Sequence, residues 1–337
     1  MKLHTQNELR VEKSQNHSGH IERFHTIPRL KKNDYYVIDI GLDGDAPKQF
    51  IKAYFFERDS NVKRTNRASW TPYIAKSAEK WYPHESVTEY MINKIGIALG
   101  LNMNAVKLVV AKGQIRFLSR YFLKPNEVLI HGAEICGEYL DDLDMATEIA
   151  NSKKTSRELF TFEFTCEAIR FVFPEICETL ILHFIKMIVF DAIVGNNDRH
   201  FYNWGVINTI KKGGKLARFA PIYDSARGLL WNESEENLVK HMVLQTQGGK
   251  KLVNYISLAT PRISVENDAN VNHFGLVTFV KTLTREYAEV VDALVSHSQE
   301  QKVLGMLNVD IFNYFSRERQ ELISIILKER FETLRNC

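Results

Sequence analysis

Gly195-Asn196-Asn197-Asp198-Arg199-His200-Phe201-Tyr202-Asn203-Trp204, followed by Pro221-Ile222-Tyr223-Asp224, is the stretch on which the reading of this chain turns. Asp198 stands five residues before Asn203, and Asp224 follows 21 residues after that amide. A carboxylate that can orient a hydroxyl and take its proton, with an Asn and an Asp that can hold magnesium on nucleotide phosphates, is the set that phosphoryl transfer requires. The D-x4-N spacing lets Asp198 and Asn203 project from one short loop.

Gly-Asn-Asn-Asp is also a strong turn sequence, so its surroundings decide its meaning. Leu180–Val194 is nearly all apolar, interrupted by His183, Lys186 and Asp191. It reads as a buried helix stopped at Gly195, the usual place for a left-handed C-terminal cap. Trp204–Ile210, a Lys211-Lys212-Gly213-Gly214 turn and Lys215–Phe219 read as a hairpin. Asp224 follows at its exit. Buried helix, polar loop, hairpin and acid is the order of the catalytic half of a kinase C-lobe.

Working outward, residues 34–122 alternate between strands and one helix. Tyr35–Ile40 and Gln49–Phe56 read as strands and Asn61–Tyr82 as a polar and aromatic connection. Ser86–Leu99 reads as a helix, with Val87, Met91, Ile95 and Ala98 at helical spacing. Val106–Ala111 and Gln114–Phe122 read as a hairpin around Lys112-Gly113. Lys52 lies inside an otherwise apolar strand, where a phosphate-binding lysine of a kinase would lie. Its expected partner is Glu89 on the following helix. Glu85, one turn earlier on the same face, is the alternative. Gly41 and Gly44 could arch over the phosphates with inward N–H groups. Ser119 and Tyr121, at the end of the second hairpin, take the place of an adenine-binding hinge.

The expected organisation is thus a polar N-terminal arm over 1–33, a kinase N-lobe over 34–122 and a helical C-lobe over 123–337. In the last, Ser156–Phe173, Glu178–Val194, Phe274–His297 and Ile311–Asn336 read as helices, and Trp231–Val265 as a long irregular loop. The fold class is α+β, two-lobed and protein-kinase-like, with a β-rich N-lobe carrying one main helix.

Composition narrows the function classes. The chain has 337 residues, 45% hydrophobic and 25% charged, with a net charge of +3. That charge gives no reason to expect nucleic-acid binding, and no helix-turn-helix pattern adds one. Cys136, Cys166, Cys177 and Cys337 form no CxxC pair, which fits free thiols in a reducing cytosol. The longest apolar run is 15 residues and holds ionisable groups, too short to span a bilayer. The start of the chain lacks the apolar core of a signal peptide. A cytoplasmic location is expected, with secretion by a non-classical route left open.

The G-N-x-D-R-H-x-x-N-x-G run, the A-P-I-Y-D run, and Thr88-Glu89-Tyr90 leading to Leu99-Gly100-Leu101 resemble the HipA-like serine/threonine kinases. The resemblance covers roughly residues 35–300. It implies Mg2+ and ATP, transfer to Ser or Thr of a protein substrate, and a toxin or effector role. By motif position it implies Asp198 as base, Asn203 and Asp224 as magnesium ligands and Lys52 on phosphate, while His200 shapes the loop. Residues 41–50 contain no Ser or Thr, so the resemblance does not extend to self-inhibition by phosphorylation of that loop. The arm is too short for an antitoxin-docking subdomain, so an antitoxin-like partner would be a separate chain. A small-molecule or phosphoinositide kinase shares the D-x4-N logic and remains an alternative, as does a nucleotide-binding pseudokinase module.

Overall fold

The computed structural model describes residues 8–11, 21–40, 48–57, 61–78, 84–210, 217–246 and 250–337. Its β-rich N-terminal lobe is a five-stranded antiparallel sheet. The strands are β1 Tyr35–Ile38, β2 Lys48–Ala53, β3 Thr71–Lys76, β4 Val106–Ala111 and β5 Gln114–Arg120, in the order β1-β2-β3-β5-β4. Alternation sorts its two faces. Val37, Ile51, Ala53, Tyr73, Ala75 and Leu118 form one small core. The opposite face carries Lys48, Ile74 and Lys76 at one end of the sheet, where β2 and β3 pair Lys48 with Lys76. Helix α1, Glu85–Ala98, packs on β4 and β5 and is buried along most of its length. The β4–β5 hairpin turns at Lys112-Gly113, both at positive φ (52° and 77°), as a two-residue type I′ turn requires.

Two expectations for this region change. Residues 61–82 contain β3, whose Tyr73 and Ala75 are buried while Ile74 and Lys76 face the other way. Pro72 near its start masks the strand in the sequence, because proline usually marks an edge or an end. The described parts of the N-terminal arm also pack. Leu9, Ile27 and Leu30 are buried, and Leu30 N–H donates to the Val110 carbonyl at 2.9 Å. Scattered apolar residues in polar sequence give no periodicity to read, yet each fills a slot against the sheet.

After β6 (Glu127–His131) the chain is mainly helical. The elements are α2 Gly132–Leu140, α3 Leu143–Asn151, α4 Lys153–Leu159, α5 Phe162–Val172 and α6 Cys177–Val194. Strands β7 Gly205–Thr209 and β8 Arg218–Phe219 follow, forming a second sheet in the order β6-β7-β8. Then come α7 Glu235–Thr246, α8 Lys251–Ser257, α9 His273–Leu283, α10 Arg285–Val295, α11 His297–Met306 and α12 Arg317–Arg335. Helix α6 is the axis of this lobe, with α5, α9, α10 and α12 packed around it. Ser156–Phe173 is two helices because Thr161 starts the second, its Oγ accepting from Phe164 N–H at 3.2 Å. Residues 231–265 hold α7 and α8, held by buried anchors such as Leu238, Leu252 and Ile256 instead of by a continuous apolar stripe. No helix among the described residues is long and apolar enough to cross a membrane.

Candidate active site

Helix α6 ends where expected. Gly195 adopts φ 66° and its N–H bonds Asp191 O, so the next residues leave the helix axis as a tight loop. Asp191, the odd acid in an apolar helix, is the anchor of that loop. Arg199 meets it bidentately, Nε to Oδ2 at 2.9 Å and Nη2 to Oδ1 at 3.0 Å, with both groups buried. Asn196 Nδ2 adds a donor to Asp191 Oδ1 at 2.9 Å.

The same guanidinium reaches the second acid's loop. Its Nη1 donates to the Asn203 carbonyl at 3.0 Å and to the Tyr223 carbonyl, and Nη2 donates to Ser225 Oγ at 2.6 Å. One buried arginine therefore ties the end of α6, the Asp198–Asn203 loop and the Tyr223–Ser225 segment together. Both carboxylate oxygens and all three guanidinium nitrogens are engaged, which is the condition for a buried ion pair to be tolerated.

Within the loop, Asn203 Nδ2 donates to the Asp198 carbonyl at 3.0 Å. That commits the amide NH2 and orients Oδ1, the only atom of this side chain suited to a cation. His200 N–H donates to the Asp198 carbonyl at 2.9 Å, and His200 Nδ1 accepts from Tyr202 N–H at 3.3 Å. Burial pushes the His200 pKa down, favouring the neutral ring. Its contacts are those of a residue that shapes the loop.

Asp224 sits at φ 52°, a left-handed conformation that Asp tolerates better than most residues. Lys76 Nζ, at the end of β3, lies 2.7 Å from Asp224 Oδ1 and 2.9 Å from Glu89 Oε1 of α1. Burial opposes the Lys76 charge, but the two carboxylates outweigh it and raise the pKa. Burial pushes Glu89 up to about 7, against the pull of Lys76. For Asp224 the lysine outweighs burial, and the carboxyl is held down at about 2.

These groups line one cavity of about 670 Å3 between the two lobes. Lys48, Lys76, Glu85 and Glu89 face it from the N-terminal lobe, and Asp198, Asn203 and Asp224 from the C-terminal lobe. Ile74, Phe122, Leu123 and Leu129 give it an apolar wall, with the Phe122 ring 5.6 Å from that of Tyr223. A cavity lined by both apolar side chains and opposed charges suits a flat base joined to a polyphosphate.

Lys52 is not among these groups. Its Nζ donates to the Ala68 carbonyl at 3.2 Å, and Glu89 pairs with Lys76 instead. Lys52 shares the face of the sheet with Lys48 and Lys76, but at the wrong end. It lies four positions on from Lys48, about 13 Å along β2. The signal that would have found Lys76 is the Tyr73-Ile74-Ala75-Lys76 alternation immediately ahead of α1.

The other expected residues fall as follows. Ser119 and Tyr121 both line the cavity, but Ser119 Oγ accepts from Asn104 Nδ2 at 2.8 Å and Tyr121 N–H donates to the Pro72 carbonyl at 3.0 Å. Gly41 and Gly44 lie outside the described residues. Two arginines unforeseen in the sequence reach Asp198. Arg262 Nη2 lies 2.6 Å from Oδ1, and Arg227 Nε lies 3.8 Å from Oδ2.

Residues 40–297 match the family of HipA-like C-terminal domains. The crystal structure of the Helicobacter pylori proinflammatory kinase CtkA is similar at a TM-score of 0.64 and 18% identity, over 88% of this chain and 93% of that chain. HipA of Shewanella oneidensis MR-1, solved in a toxin–antitoxin complex with HipB and its operator DNA, aligns at a TM-score of 0.45 and 12% identity, over 78% of this chain and 58% of that one. No functionally curated protein matches this chain.

Proposed function

The chain belongs to the family of HipA-like C-terminal domains, and from that membership and the cleft we propose that it is a kinase that transfers the γ-phosphoryl group of ATP to Ser or Thr of a protein substrate. The observation that carries the reading is the ion-pair network of Lys76 with Glu89 and Asp224, set across one cavity from Asp198 and Asn203. Each group then has a role. Lys76, held by Glu89, meets phosphate oxygens, and Lys48 on the neighbouring strand adds a second cation. Asp224 and Asn203 Oδ1 hold magnesium, which neutralises phosphate charge when bound. These donors fit that ion: a hard cation prefers a carboxylate and an amide oxygen to nitrogen or sulfur ligands. Asp198 orients the acceptor hydroxyl and accepts its proton. Phe122, Leu123, Ile74 and Leu129 receive the base.

The Ser/Thr acceptor rests on the family resemblance; the cavity accounts for the nucleotide. Incubation of the purified protein with γ-labelled Mg-ATP and a cell lysate tests both parts. The expected result is label on protein, recovered as phosphoserine or phosphothreonine. Label confined to a lipid or a small molecule would overturn the acceptor class. No transfer to any acceptor would overturn the enzyme.

A further inference from the structure

The segment 258–272 contains no helix or strand, yet it is held at several points. Buried Arg157 of α4 donates to four of its carbonyls: Nη1 to Pro261 and to Ile263 (3.3 Å), Nε to Ala269 (3.0 Å) and Nη2 to Val271 (2.7 Å). Ser264 Oγ returns a bond to the Arg157 carbonyl, and Phe162 N–H takes the Ser264 carbonyl at 2.9 Å. The two carbonyls flanking Arg262, those of Pro261 and Ile263, are thus gripped by one guanidinium. A surface charge has no need of such support.

What the support positions is a guanidinium set against the Asp198–Asn203 loop. Arg262 donates twice to Asp198 Oδ1, from Nη2 at 2.6 Å and from Nε at 3.2 Å. Oδ2 has a looser neighbour, Arg227 Nε at 3.8 Å, and the Arg227 guanidinium itself lies 4.1 Å over the Trp231 ring. A carboxylate held by two charge-assisted bonds on one oxygen loses its freedom to rotate and presents the other oxygen in a fixed direction. A loose phosphoryl-transfer transition state asks this of its base, because the proton moves late and placement counts for more than basicity.

We propose that Arg262 is a positioning residue for phosphoryl transfer, fixing Asp198 by Oδ1 so that Oδ2 receives the acceptor hydroxyl. The inference rests on the kinase reading above. In the step it serves, the acceptor oxygen bonds to the γ-phosphorus. The bond from that phosphorus to the oxygen bridging the β-phosphate breaks, its electron pair leaving with ADP, and the hydroxyl proton passes to Asp198 Oδ2. Arg262 changes neither the count of atoms nor of charges; it sets where the carboxylate stands.

The test compares wild type, Arg262→Ala, Arg262→Lys, Asp198→Asn and the Asp198→Asn/Arg262→Ala double variant. The readouts are kcat, KM for ATP, the calorimetric dissociation constant of Mg-ATP, and Tm. R262A is expected to lower kcat on the order of 10- to 100-fold, the cost of a misplaced group, with KM and Mg-ATP affinity within about twofold, since neither depends on where the base stands. R262K, which keeps one charged donor, should recover part of the loss, as should added guanidinium ion with R262A. In the D198N background R262A should cost nothing further. An unchanged kcat in R262A, a full R262A cost in the D198N background, or a lowered Tm with no recovery by guanidinium would each overturn the proposal. Inactive wild type would remove the kinase reading and this inference together; active wild type with equally active R262A removes only this one.

Discussion

Lys76 Nζ lies 2.7 Å from Asp224 Oδ1, an ion pair between residues 148 positions apart that joins the end of β3 to the loop below the cleft. Glu89 shares the same ammonium at 2.9 Å. Sheet, helix and C-terminal loop therefore meet at one charge, and the consequences of moving it are specific.

Removing that charge should weaken nucleotide binding. Lys76→Met is expected to weaken Mg-ATP binding roughly 10- to 100-fold, the worth of a hydrogen-bonded charge. Lys52→Met, at the far end of the same face, should leave it within about twofold. Calorimetric titration of both variants checks this; equal losses would return Lys52 to the site.

The magnesium role proposed for Asp224 should be separable from binding of nucleotide alone. Asp224→Asn keeps the side-chain shape but gives up the negative charge that a hard cation prefers. The rise in Tm with Mg-ATP should shrink toward that seen with ATP and a chelator, while the apo protein stays folded. A full magnesium-dependent shift in the variant would place the metal elsewhere.

The buried Arg199–Asp191 pair should be a stability element as well as a hinge pin for the site. Arg199→Met leaves Asp191 buried beside Asn196 as its remaining donor, and four carbonyl or hydroxyl acceptors lose their bonds. A loss of about 3–5 kcal/mol in urea denaturation is expected. The Arg199→Met/Asp191→Leu double variant should lose less than the sum of its parts, because neither charge is then stranded. A single-variant loss under about 1 kcal/mol would show the network is dispensable.

The pH dependence follows from Glu89, whose pKa burial raises to about 7 from an ordinary 4.5. Between those values the folded protein binds this proton more tightly than the unfolded chain does. The stability contributed is fully present below about 4.5 and is lost as pH rises through about 7. Glu89→Gln keeps the neutral form at every pH. The Tm of the variant minus that of wild type should therefore grow more positive from pH 5 to pH 8. Parallel curves would show that Glu89 is ionised throughout.

Much of the site was legible because its chemistry is contiguous. Asp198, Asn203 and Asp224 stand on a loop and a strand exit whose order is written in the chain, and an apolar helix ending in Gly195 announces them. Glu89 was legible from helical spacing. Lys76 was not, because Pro72 obscures its strand and because Lys52 satisfies the same local pattern. Only the β2–β3 register, a pairing set by tertiary packing, shows which end of the sheet faces the cleft. Arg262 left no signal at all: its segment is polar and aperiodic, and its position is fixed by Arg157, more than a hundred residues away in sequence. The helices α7 and α8 were hidden for a related reason, since a few buried anchors replace a continuous apolar stripe.

In the proposed function Asp198 positions and deprotonates the acceptor hydroxyl in a nucleotide-dependent phosphoryl transfer. Asp198→Asn keeps shape and hydrogen-bonding reach but removes the charge. The direct measurement is the single-turnover rate of transfer from γ-labelled Mg-ATP to a labelled acceptor, with the Mg-ATP dissociation constant measured alongside. The expected rate is lower on the order of 10²- to 10⁴-fold, with affinity changed by about twofold or less because binding is assigned to Lys76, Asn203 and Asp224. Transfer by the Asn variant at the wild-type rate would contradict it and place the base elsewhere in the cleft.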